Sequence, residues 1–79
     1  MSRYERITYR DPDSGSQKTL ILEEAKVRPF GPNQTPVLIG EQVDKEGCDL
    51  DHTHVIEVRL ITKRTPMQMN FHYGWLEAC

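Results

Sequence analysis

The chain has 79 residues, 37% of them apolar and 28% charged, with a net charge of −2. That length fits one small domain over residues 1–79, burying only about 60% of the surface its unfolded chain exposes, and the Val, Ile, Tyr, Phe and Trp content argues against disorder. The weakly acidic balance excludes a global field toward nucleic acid or anionic lipid; no apolar run approaches the roughly 20 residues of a membrane helix, so the expected location is the cytoplasm.

The first element is "ERITYR". Glu5, Ile7 and Tyr9 alternate with Tyr4, Arg6, Thr8 and Arg10, the period-two pattern of a strand. "DPDSGSQ" follows as a hairpin loop, because Asp and Ser bond nearby backbone, Pro fixes φ and Gly permits a positive φ. "KTLILEEAKVRPF" reads as a strand with a bulge near Glu23–Glu24, and a short helix over 20–28 is the rival reading. "PFGPNQTP" is a punctuated loop that no ladder continues through. Its Phe30 is expected either to close one end of the core or to serve as a binding tip.

In "PVLIGEQV", Val37, Ile39 and Val43 alternate with Leu38, Gly40 and Gln42, and Gly40 marks a bulge or a close backbone approach. After an acidic segment, "HTHVIEVRLIT" places His52, His54, Ile56, Val58 and Leu60 on one side of a fourth strand. "KRTP" is expected to turn the chain. "MQMNFHYGWL" then alternates Met67, Met69, Phe71, Tyr73 and Trp75 against Gln68, Asn70, His72 and Gly74, which predicts a fifth strand whose aromatic row feeds the core. The sum is an all-β fold, a small five-stranded antiparallel barrel or sandwich of SH3-like or OB-like kind. Open edges in so small a sheet make pairing between copies plausible.

Cys48, Asp49, Asp51, His52 and His54 crowd into seven positions. Histidines at i and i+2 on a strand lie roughly 6.5–7 Å apart, and each could reach one Zn²⁺ or similar divalent transition metal at about 2.0–2.1 Å. Cys48 and His72 are the further candidate ligands. The bland alternative is a histidine at the edge of the core beside turn-capping aspartates. A calcium loop of the EF-hand type does not fit, since counting from Asp49 puts His54 where glycine belongs and Leu60 where glutamate belongs. Cys48 beside Asp49 has its thiolate disfavoured by like charge. Two cysteines, Cys48 and Cys79, are too few for a disulfide framework, although a single bridge between them stays open.

No phosphate-cradling glycine loop or nucleophile motif occurs, which leaves binding. The leading expectation is a non-enzymatic, self-associating domain that engages a protein partner through Phe30, Arg59, Lys63, Arg64, Tyr73 and Trp75, with no cofactor. Metal binding by His52 and His54 with Cys48 or His72 is the second reading. Single-stranded nucleic acid, stacked on aromatics beside basic side chains, is the third.

Overall fold

The computed structural model describes residues 2–79. Six strands, β1 (Tyr4–Arg10), β2 (Gln17–Phe30), β3 (Thr35–Val43), β4 (Asp49–Glu57), β5 (Ile61–Asn70) and β6 (Trp75–Ala78), form one antiparallel sheet in the order β4-β3-β2-β1-β5-β6. The only helical piece among the described residues is a 3-10 turn, Val58–Leu60, between β4 and β5. The fold is therefore all-β, with six strands where the alternation predicts five.

The helix rival over 20–28 is overturned, because this stretch lies wholly within β2, a strand of 14 residues. Its register on β3 shifts between Glu23 and Lys26, where Glu24 adopts φ 53°. That is the bulge expected at Glu23–Glu24; the left-handed residue lets so long a strand bend. Gly40 of β3 sits under the same bend. A Cβ there would stand 3.1 Å from the Leu22 Cβ and 3.2 Å from the Ala25 Cα, tighter than ordinary contact, so the close backbone approach favours glycine.

The register sends the apolar side chains to both faces of the sheet. Ile7 opposes Leu20, Leu22 opposes Glu5, and Leu38 opposes Ile56, so Ile7, Leu22, Leu38 and Ile56 share one face, where they form a buried cluster. Ile21 opposes Val43, Tyr4 opposes Met67, and Met69 opposes Leu76 on the other face, and Val43, Met67 and Leu76 form a second buried cluster there. The β3–β4 turn covers this second core: Gly47 lies against the Met69 methyl and the Tyr4 ring. The Leu76 N–H also donates to the Lys45 carbonyl at 2.6 Å, joining that turn to β6.

Three sequence expectations are corrected. The fourth strand ends at Glu57, so Val58 and Leu60 leave the face of His54 and Ile56 for the 3-10 turn. "KRTP" does not turn the chain but runs within β5, paired to β1 from Tyr9↔Ile61 to Glu5↔Pro66. Pro66 is tolerated because it lies where the β5–β6 ladder ends and uses only its carbonyl there, which accepts from the Cys79 N–H at 3.0 Å. Finally, residues 67–76 are not one strand: the chain reverses between Asn70 and Trp75.

Candidate partner-binding surface

The reversal is built by Asn70 and Gly74. The Asn70 Oδ1 accepts from the His72 and Tyr73 backbone N–H groups at 3.0 and 3.2 Å, and the Asn70 carbonyl accepts from the Gly74 N–H at 2.7 Å. Gly74 supplies the φ of 80° that closes the turn. Side-chain and backbone oxygens of one residue thus hold the whole tip.

The aromatic row expected to feed the core points into solvent. Phe71 is 90% exposed, Tyr73 60% and Trp75 43%. Trp75 opposes Asn70 while Leu76 opposes Met69, so the indole lies on the face away from Met67 and Met69. The Tyr73 and Trp75 rings stack with centroids 5.0 Å apart and planes 9° from parallel, and His72 packs edge-on against Tyr73 at 5.0 Å. The Trp75 Nε1–H donates to Glu77 Oε1 at 3.2 Å. The result is a stiff aromatic plate whose outer surface has no partner among the described residues. On the opposite face of the hairpin, Phe71, Tyr4, Met67 and Met69 line a largely apolar groove of about 500 Å³.

The other residues expected to bind a partner lie elsewhere. Phe30, 54% exposed rather than closing the core, lines a separate groove of about 380 Å³ with Val37 and Val55 that shares no residue with the first. Arg59 is engaged with Glu57 at 3.1 Å, and Arg64 makes a two-pronged contact with Glu5 at 2.7 and 3.1 Å. Lys63 is exposed on β5 opposite Thr8. Only Tyr73 and Trp75 of the six are therefore brought together; His72 completes the plate, and Phe71 stands exposed at the same turn.

The four expected metal ligands are not brought together. His52 and His54 are neighbours with ring centroids 6.4 Å apart. Cys48 closes the β3–β4 turn, its N–H donating to Asp44 Oδ1 and its carbonyl accepting from the Asp44 N–H, each at 2.9 Å. His72 stands in the β5–β6 turn against Tyr73. Among the described residues, no three His, Cys, Asp or Glu side chains converge as a metal cage. The His54 ring is half-buried and contacts Gln42 Oε1 through Nε2 at 2.8 Å. Burial, and then the neighbouring His52, lower its pKa, with Glu41 opposing them.

Comparison of the chain with protein-family models, curated proteins and solved structures returned no match. The aromatic plate escapes a reading by alternation because the period-two pattern of the sequence continues through residues 71–74, whereas the hairpin exchanges the faces: Met69 pairs with Leu76 and Trp75 with Asn70. The signal that locates it is Asn70 followed four residues later by Gly74.

Proposed function

We propose that the protein is a non-enzymatic interaction domain that self-associates and engages a protein partner through the aromatic β5–β6 tip. The observation that carries this reading is that Phe71, His72 and Tyr73 occupy a turn whose backbone is held by Asn70 and Gly74 alone. Rings of that size usually give their largest stabilisation by burial, yet Phe71 is 90% exposed. An exposed, pre-stiffened aromatic cluster at a tip whose other face carries an apolar groove has the composition of an interface centre, where aromatic residues and methionine are enriched. The sheet's open edge offers less for such a contact, since β4 is interrupted at Asp51, with φ 56°, and carries Asp49, Asp51 and Glu57.

We read the sheet that supports the tip as curling into a small open barrel, SH3-like rather than OB-like. Support comes from the bend in β2, the 3-10 turn carrying the chain from β4 to the far side of β1, and the Leu76-to-Lys45 bond between opposite ends of the sheet order.

Size exclusion with light scattering across micromolar concentrations tests the reading, using the parent chain and a Phe71→Ser/Tyr73→Ser variant. Reversible association of the parent and a monomeric variant are expected. A strictly monomeric parent would remove self-association, and association unchanged in the variant would move the contact away from the tip.

A further inference from the structure

We propose that His52 and His54 form a two-point site for a divalent transition-metal ion on the outer strand β4, with Gln42 orienting the His54 ring. The inference is independent of the aromatic tip.

β4 is the terminal strand of the sheet order, so one side of it faces no other strand. His52 is exposed, His54 is half-buried, and their ring centroids stand 6.4 Å apart with planes tilted by 48°. Metal–nitrogen bonds of about 2.0–2.1 Å, with the reach of each ring from centre to nitrogen, put two adjacent imidazole ligands roughly 4.5–5 Å apart centre to centre, so side-chain rotations that close the gap by about 1–2 Å bring both rings onto one ion. Ligating imidazoles characteristically give their second nitrogen to a carbonyl or carboxylate, which fixes tautomer and orientation. The Gln42 Oε1, 2.8 Å from His54 Nε2, is placed to do this and leaves Nδ1 as the free donor.

Two carboxylates of β3 and β4 accept hydrogen bonds within the sheet. Glu41 Oε1 accepts from the Thr53 hydroxyl at 2.6 Å, and Asp49 Oδ1 accepts from the Asp51 N–H at 2.8 Å. The protein thus supplies two nitrogen donors, and water completes the shell. Such a donor set takes metals in the general order of imidazole affinity, Cu²⁺ above Ni²⁺ and Zn²⁺.

Ni²⁺ is the practical probe, because its paramagnetism broadens NMR signals only near the bound ion. The titration uses full-length chain carrying Cys48→Ser and Cys79→Ser, so that thiols do not compete. The expected result is site-selective broadening of the Gln42 and His52–His54 amide signals, with one equivalent bound. His52→Ala or His54→Ala should weaken binding at least about tenfold by removing one of the two donors. Gln42→Ala should weaken it by about tenfold through lost ring orientation; His72→Ala should leave it unchanged. His52 is exposed, so its replacement keeps the test meaningful if the His54 variant loses its fold. Broadening centred on the His72 turn, binding indifferent to the His52 and His54 replacements, or no selective broadening up to millimolar Ni²⁺ would each overturn the proposal.

Discussion

The β1–β2 and β5–β6 turns have the same backbone and opposite side chains. In the first, Asp11 Oδ1 accepts from the Asp13 N–H at 2.9 Å, the Asp11 carbonyl accepts from the Gly15 N–H at 2.8 Å, and Gly15 has φ 73°. In the second, Asn70 and Gly74 take the corresponding places. Around the first turn the polar groups bond to one another: Lys18 pairs with Asp11 at 2.7 Å, Arg10 Nη1 donates to the Gly15 carbonyl at 2.7 Å, and the Ser14 and Ser16 hydroxyls meet at 2.7 Å. At the second, three aromatic residues add nothing to the backbone bonds. The comparison separates what a turn needs, an oxygen-bearing first residue and a glycine, from what this one carries in addition.

The largest expected effect comes from the glycines. Neither Gly15 nor Gly74 has an atom within 4 Å of a built Cβ, so replacement by alanine meets only the backbone penalty. Gly15→Ala and Gly74→Ala should each cost about 1–2 kcal/mol, read as a fall in Tm of roughly 4–8 °C per kcal/mol for a domain of this size. Clearly unequal losses would break the equivalence of the two turns. Next, Asp11→Ala and Asn70→Ala each remove the acceptor holding a turn and should lower the denaturant midpoint by less than the glycine replacements do.

A transplant sharpens the contrast further. Replacing Phe71-His72-Tyr73 with the Pro-Asp-Ser of positions 12–14 should change stability by no more than about 1 kcal/mol, chiefly the lost Tyr73–Trp75 stacking, while abolishing self-association. A larger loss of stability would make the aromatics structural. The smallest effect is one of pH. The Lys18 ammonium, and then the Asp13 N–H, hold the Asp11 carboxyl below its usual pKa. Its contribution is therefore present above the unfolded value and is lost as pH falls through the lowered folded value. After correction for intrinsic exchange rates, amide exchange at Gly15 should accelerate on acidification relative to Gly74, whose turn rests on a non-titrating amide. Parallel acid profiles would remove the distinction.

Much of the fold was legible because its punctuation has local physical causes. Asp-Pro-Asp-Ser-Gly specifies a turn wherever it falls, Glu23–Glu24 interrupts the alternation of β2, and Gly40 stands where Leu22 and Ala25 leave little room for a side chain. Tertiary context decided the rest. Lys63, Arg64, Thr65 and Pro66 look like a turn by composition but extend because β1 offers them a ladder. Of the proposed partner-binding set, Tyr73 and Trp75 were legible both as a row feeding the core and as candidate partner contacts, since the alternation runs on through residues 71–74 and hides the hairpin that exchanges the two faces. Phe71 and His72 were absent from the partner-binding set for the same reason. The His52–His54 pair was legible because a strand repeat alone brings i and i+2 to one side.

Ile21 and Leu22 are sequence neighbours that project into different cores. Neither core can come apart by strand displacement without dragging β2, and β2 cannot twist free without emptying both. A protein assembled this way should melt as one cooperative unit, with no half-folded species in which one side of the sheet survives the other.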